Sequence, residues 1–181
     1  MTITTIIEGC KLGKPACQRE LVDRFSPQLK AVARRYAPDN ATAQDVLQDS
    51  LIRILQRIDQ YAGTGSFEGW MRRVVISIAL KRLDRKWVRR EVSVADQTDD
   101  RSVAPVALDQ LATADIMRCI TSLPDGYRQV FNLYAIEGHN HREIGQMMGF
   151  SESTSRSQYN RARKKLQILL TDHKTALKHA K

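Results

Sequence analysis

Glycine and proline are scarce in this chain, 9 and 5 among 181 residues, which leaves few turn-formers for tight hairpins and favours helices. Cysteine is scarcer: Cys10, Cys17 and Cys119 are an odd set with no Cys-x-x-Cys pair, so neither a disulfide framework nor a metal or redox role is expected. Cys10 and Cys17 could share a helical face, but Gly13 and Pro15 favour a break between them. No run of about 18 apolar residues offers a transmembrane helix. The segment Met1–Glu8 lacks a basic stretch and its apolar residues are interrupted, so it does not read as a signal peptide, and a cytoplasmic protein is expected. Of the four histidines, 139, 141, 173 and 179, none sits at metal-ligand spacing; His139 and His141, with no third ligand, read as surface residues. Asp45 and Asp49 likewise lack a third acid, and there is no phosphate-binding glycine loop or nucleophile signature. No catalytic residue, cofactor, metal or small-molecule substrate is therefore expected.

What the chain has is positive charge and enough apolar content for a core. Lys and Arg number 29 against 20 Asp and Glu, a net charge of +9, and hydrophobic residues make up 42%. That excess calls for an anionic partner, nucleic acid or an acidic membrane surface. It is also segregated. Arg72–Arg90 carries eight basic residues and one acid, Asp84; from Glu91 to Asp115 six acids face Arg101 alone; Arg156–Lys165 is basic again, with five cations and no acid. The acidic stretch is also rich in Ser, Gln and Thr and contains Pro105, so it predicts a flexible linker over residues 91–108 between two small helical domains, 1–90 and 109–181.

The apolar period supports an all-α fold throughout. Residues 17–37 repeat at Leu21, Val22, Phe25, Leu29, Val32, Ala33 and Tyr36, with Pro27 able to kink or divide the helix. After the capping candidates Asp39–Thr42, a second helix runs through Val46, Leu47, Leu51, Ile54, Leu55 and Ile58. A turn at Tyr61–Ser66 leads to a third helix from Phe67 to about Arg90, with Trp70, Val74, Ile78 and Leu83 on or near one face. The second domain predicts helices over about 109–122, 127–137, 141–148 and 151–170.

The last two of these have the parts of a helix-turn-helix. Ile144, Met147 and Met148 supply an inner side, Gly149 a left-handed turn, and Ser151 a cap toward Thr154. In the final helix Ser155, Tyr159, Ala162, Leu166 and Leu169 share a core-facing arc. Ser153, Arg156, Ser157, Asn160 and Lys164 point away, flanked by Arg161 and Arg163. Such a stripe suits the major groove: Arg can bond guanine, Asn adenine, and flanking cations phosphate. With Thr154, the candidate reading set is Ser153, Thr154, Arg156, Ser157, Asn160, Arg161 and Lys164.

The run Leu123-Pro124, Arg128-x-Val130-Phe131, Glu137-Gly138, Glu143-Ile144, Met148-Gly149-x-Ser151, Thr154-x-x-Ser157, Arg161-Ala162-Arg163 and Leu166 resembles the C-terminal domain of extracytoplasmic-function (ECF) RNA polymerase sigma factors. The resemblance implies binding to the −35 promoter element and to the β flap of RNA polymerase. Two residues depart from the pattern: Gly145 stands where Ala is usual, and Ser155 where Val is usual. Neither is expected to touch DNA, although a core-facing Ser155 is expected to weaken packing.

The first domain separates this reading from that of a stand-alone DNA-binding regulator, which needs no strand-opening apparatus. Asp45, Gln48, Asp49 and Arg53 resemble the sigma segment that grips the β′ coiled coil of core polymerase. By spacing alone, Asp49 and Arg53 could equally be a solvated surface pair. Phe67-Glu-Gly-Trp70-Met71-Arg-Arg73-Val74 resembles the family's signature for the −10 element. Aromatic surfaces beside cations are what holding an unstacked strand requires, and the loop Tyr61–Phe67 could shape a pocket for a flipped base. Phe67 and Trp70 could equally anchor the helix in the core, Phe67 less so because it borders the glycine-rich loop. The −10 set is Tyr61, Ser66, Phe67, Trp70, Arg73, Ser77, Lys81 and Arg85, with Lys81, Arg82, Arg85, Lys86, Arg89 and Arg90 following the phosphates. Ser77 and Lys81 replace the family's usual Asn and Asp, so its base preference does not carry over. The partners implied are promoter DNA, core RNA polymerase and an anti-sigma factor, in a bacterial cytoplasm.

Overall fold

A computed structural model describes the backbone of residues 1–87 and 113–179, and the side chains of residues 1–82 and 113–172. The chain divides into two compact units, Met1–Arg82 and Leu83–Lys181, and every described element is helical. The linker expected over residues 91–108 lies outside the described residues.

The first unit holds α1 (Ile3–Lys11), α2 (Pro15–Tyr36), α3 (Asn40–Gln56), a 3₁₀ turn at Ile58–Gln60, and, as far as Arg82, α4 (Phe67–Trp87). The break between Cys10 and Cys17 falls as the sequence predicts: α1 stops, Gly13 takes φ 68°, and Pro15 opens α2. The two helices then cross so closely that a β-carbon on Gly9 would lie 2.1 Å from Cys17 Sγ. All three thiols are buried and unpaired, and burial pushes those of Cys10 and Cys119 up, which keeps them protonated.

Helix α2 buries Cys17, Leu21, Phe25, Leu29, Val32, Ala33 and Tyr36, the predicted stripe, and continues through Pro27 without dividing. Pro27 lies on the exposed side, where solvent can satisfy the carbonyl that its ring deprives of a donor. Asp39 caps α3, accepting the Thr42 amide at 2.6 Å. The face of α4 differs from expectation. Phe67, Met71, Val75 and Ala79 are buried, with Ile76 and Leu80 beside them, while Trp70, Val74 and Ile78 are only half-buried. The helix is apolar on two adjacent stripes, so its period could not choose between them; the buried stripe is the one that begins at Phe67, which meets Phe25 of α2.

The second unit holds α5 (Thr113–Thr121), α6 (Asp125–Phe131), a π-helical turn (Asn132–Ile136), α7 (His141–Met148) and α8 (Glu152–His179). Cys119, Ile120, Leu123, Tyr127, Ala162, Leu166 and Leu170 form its core, joining α5 and α6 to α8. At the α5–α6 corner Arg128 is only 2% exposed. Its guanidinium donates to the Thr121 and Leu123 carbonyls, at 2.8 and 3.1 Å, and to Asp125 Oδ1 at 2.5 Å. Arg128 thus satisfies carbonyls left without partners where α5 ends, and pairs with the acid that opens α6.

Replacing Arg128 by Met is expected to destabilise this unit by about 3 kcal/mol, because carbonyls and a partly buried carboxylate lose their partner together. Lys is expected to recover little, since a point charge cannot span three acceptors. Native-state hydrogen exchange of the α5 and α6 amides checks both.

Candidate nucleic-acid and polymerase interfaces

The helix-turn-helix is built as the sequence predicts, with one correction and one addition. Gly149 takes φ 74° after α7, and Ser151 Oγ accepts the Thr154 amide at 3.1 Å to start α8. Ile144 is buried, but Met147 is 41% exposed and Met148 half-buried, so the inner side is Ile144 with His141 and Gly145. Unanticipated by the sequence reading, Asn140 and Glu143 form a reciprocal cap on α7, with the Glu143 amide and the Asn140 amide each donating across at 2.9 Å. The spacing Asn-x-x-Glu carried that signal.

On α8, Ser155 and Ala162 are fully buried, with Leu166 nearly so. Ser153, Arg156, Ser157, Asn160, Arg161 and Lys164 are exposed and Thr154 half-buried, so the whole reading set reaches one solvent-facing surface. The Ser153 and Thr154 hydroxyls each lie 2.8 Å from Ser151 Oγ, around the cap. Arg156 donates to Glu152 Oε1 at 2.6 Å, an exposed i, i+4 pair worth a few tenths of a kcal/mol.

The two departures in this region are structural. A β-carbon on Gly145 would lie 2.6 Å from the Phe150 carbonyl oxygen, so the turn closes tighter than alanine allows. Ser155 does not merely weaken packing: its Oγ lies 2.9 Å from His141 Nδ1. His141 is accordingly no surface residue. Its ring is buried and stacked on Tyr134 at 4.3 Å. Among the described residues no cluster of His, Cys, Asp and Glu suited to a metal is assembled.

In the first unit the −10 candidates separate into three groups. Arg73, Ser77 and Lys81 stand one turn apart on α4 and are exposed. Tyr61, Phe67 and Trp70 form an aromatic cluster: Phe67 stacks on Trp70 at 5.7 Å and meets Tyr61 at 5.1 Å and Phe25 edge-on at 5.8 Å. Phe67, at 3% exposure, is the core anchor, while Tyr61 and Trp70 are half-buried. The expectation favouring Phe67 over Trp70 as the exposed ring is therefore reversed. Ser66 caps α4, accepting the Gly69 amide at 3.0 Å. Tyr61 donates to the Gly65 carbonyl at 2.7 Å, folding the loop against α1 around an open cleft of about 700 Å³ lined by Ile3, Ile7, Lys11, Tyr61 and Ser66 among others. The Arg85, Lys86, Arg89 and Arg90 side chains lie outside the described residues.

Asp45, Gln48, Asp49 and Arg53 share the exposed side of α3, as the i, i+4, i+8 row requires, with Ile52 55% exposed among them. The partner of the acids is not Arg53. Arg82 of α4 reaches across with both guanidinium arms, 2.7 Å to Asp45 Oδ2 and 2.6 Å to Asp49 Oδ2. Arg82, expected on the phosphates, instead ties α4 to the α3 face.

One unit exposes a polar and basic face on a capped helix that follows a glycine turn; the other carries basic and aromatic residues on α4 and an exposed row with two acids on α3. Residues 21–89 match Sigma-70 region 2 and residues 113–166 match Sigma-70 region 4. The chain belongs to the sigma-70 family, among the ECF RNA polymerase sigma factors, a family of promoter-directed transcription initiation factors. It is similar to the ECF RNA polymerase sigma factor SigE of Mycolicibacterium smegmatis, 29% identical over 159 residues, covering 85% of this chain and 62% of that protein. The ECF RNA polymerase sigma-E factor of Salmonella typhimurium is 25% identical over 175 residues, covering 90% of this chain and 91% of that one. The sigma factor RpoE of Bartonella quintana, solved in complex with the anti-sigma factor NepR, shares the fold at TM-score 0.52 and 19% identity, covering 84% of this chain and 96% of that one.

Two outcomes are expected from this geometry. Gly145→Ala lowers thermal stability by about 1–3 kcal/mol through overpacking of the turn, read by melting the folded chain. A double-mutant cycle of Asp49→Asn with Arg82→Gln, followed by urea unfolding, gives a coupling of no more than about 1 kcal/mol, as for exposed pairs.

Proposed function

We propose that this chain binds core RNA polymerase through the α3 row and directs promoter-specific initiation, with α4 engaging and opening the −10 element and α8 reading −35. The observation that carries the assignment is the exposed row Ser153, Arg156, Ser157, Asn160 and Lys164 on a capped α8, in the part matching region 4. In the other unit, Arg73, Ser77 and Lys81 offer phosphate and strand contacts, and Trp70 and Tyr61 offer partly accessible rings on which bases can stack. The cleft between α1 and the Tyr61–Phe67 loop is roomy enough for an extruded base.

The proposed core-binding residues are Asp45, Gln48, Asp49 and Arg53, with the β flap a further contact for the second unit. By the example of the Bartonella factor held by NepR, an anti-sigma factor is proposed as the inhibitory partner. Among the described residues no helix is long and apolar enough to cross a membrane. Action in the bacterial cytoplasm, without catalysis by the chain itself, is part of the proposal.

Run-off transcription from a pooled promoter library, with core polymerase and with or without this protein, tests it. Chain-dependent transcripts sharing two upstream motifs are expected. Silence of core, with specific duplex binding by the chain alone, would instead make it a stand-alone regulator. Arg156→Ala or Asn160→Ala is expected to reduce −35 discrimination by about 1–3 kcal/mol per lost base contact while leaving core binding intact. Asp49→Ala is expected to weaken core binding and spare −35 discrimination, measured as polymerase affinity and duplex affinity separately.

A further inference from the structure

His141 is the one buried histidine of the described residues, and the promoter-reading mechanism makes no use of it. It opens α7, and its ring is enclosed by elements that must be fixed relative to one another for DNA to be read. Tyr134 of the π turn stacks on one face at 4.3 Å and an interplanar angle of 11°. Tyr159 of α8 lies 5.7 Å away and itself meets Tyr134 at 4.5 Å. The polar link in this aromatic box is His141 Nδ1 to Ser155 Oγ, 2.9 Å, with Ser155 fully buried. Stacked rings tolerate sliding and rotation; a hydrogen bond between two buried atoms has one length and one direction.

Ser155 directly precedes Arg156 and lies five residues before Asn160, so whatever fixes its azimuth fixes theirs. On a helix about 5 Å in radius with its side chains, a rotation of about 20° carries a side-chain base by about 2 Å, enough to lose a base contact. We propose that His141 is the positioning residue of the reading helix, holding the rotation of α8, and so the aim of Arg156 and Asn160 at −35, through its bond to Ser155. The inference rests on α8 being the reading helix.

The link carries a pH signature. Besides Tyr134 and Tyr159, the titratable groups around the ring are Glu152 and Arg156 of α8, with His139 and Glu143 paired at 3.5 Å in and before the first turn of α7. Burial first, and then the Arg156 charge, hold His141 below the ordinary histidine value, with Glu152 opposing, and the positive end of α7 acts in the same direction as Arg156. The folded state therefore favours the neutral ring. Its contribution to stability is fully present above about pH 6.5, where the unfolded histidine is also neutral, and is lost as pH falls and the unfolded chain takes up the proton first. Protonating the ring in place would put a cation in a buried site beside Arg156, so acid should loosen the anchor of α8.

The test uses the full chain and fluorescence anisotropy with two DNA duplexes, one selected from a random pool by the wild-type protein and one scrambled. The readout is the ratio of the two affinities at several pH values, with folding of each variant checked by circular dichroism. For the wild type the ratio should fall only as pH drops below the ordinary histidine range, where the buried ring takes up its proton. His141→Asn places an amide near the Nδ1 position and cannot titrate, so its ratio should stay within about twofold of the wild-type value and be flat with pH. His141→Leu should lower the ratio about tenfold at every pH while leaving affinity for the scrambled duplex unchanged. A His141→Asn that loses discrimination at about pH 7.5, or whose ratio falls with acid as the wild type's does, overturns the inference even should His141→Leu fail to fold. A folded His141→Leu that keeps full discrimination overturns it as well. If the wild type prefers no duplex, the reading role of α8 fails, and this inference with it; a preferred duplex whose ratio ignores His141 and pH overturns this inference alone.

Discussion

The second unit depends on one buried guanidinium. Arg128 stands where α5 stops and α6 starts, and a helix end in a core is a place where backbone carbonyls lose both their helical partner and water. One planar fork answers several of these demands together, donating to Thr121, Leu123 and Asp125. The corner it sets lets Leu123 and Tyr127 join Ile120 on one side and Ala162, Leu166 and Leu170 on the other. The buried face of α8 is thereby settled, and the opposite face, proposed to read DNA, is left to solvent. Burial lowers the guanidinium pKa and Asp125 opposes that shift, so the same ion pair that makes the corner also keeps its charge tolerable.

A second guanidinium has the opposite character. Arg82 bridges Asp45 and Asp49 from an exposed position, where water and salt screen the attraction. It holds α3 and α4 together weakly, which suits a surface proposed to exchange one set of partners for another. The proposed docking row and the helix proposed to engage the strand are in this way neighbours in one small unit, joined by a contact that a competing cation can replace.

Much of this was legible in the residues. The stripe of α2, the cap at Ser151, the left-handed Gly149 and the division of α8 into inner and outer faces follow from spacing, because each depends on neighbours within four positions along the chain. The same locality explains the failures. Along α4 two adjacent stripes are both apolar, so the choice of Met71, Val75 and Ala79 over Trp70, Val74 and Ile78 awaited the surface they pack on. Phe67 borders a glycine-rich loop, which suggested exposure, but Phe25 and Trp70 enclose it.

The sequence by itself determined the helical class, the two basic regions, the element order and the outward-facing polar residues of α8, since periodicity, caps and charge are properties of a local stretch. Tertiary structure alone decided that Arg82 belongs to the α3 acids, that Gly145 lies against the Phe150 carbonyl, and that His141 and Ser155 share a buried bond. Each of these joins residues that lie apart along the chain, and each depends on distance and burial, which no local pattern of residues encodes.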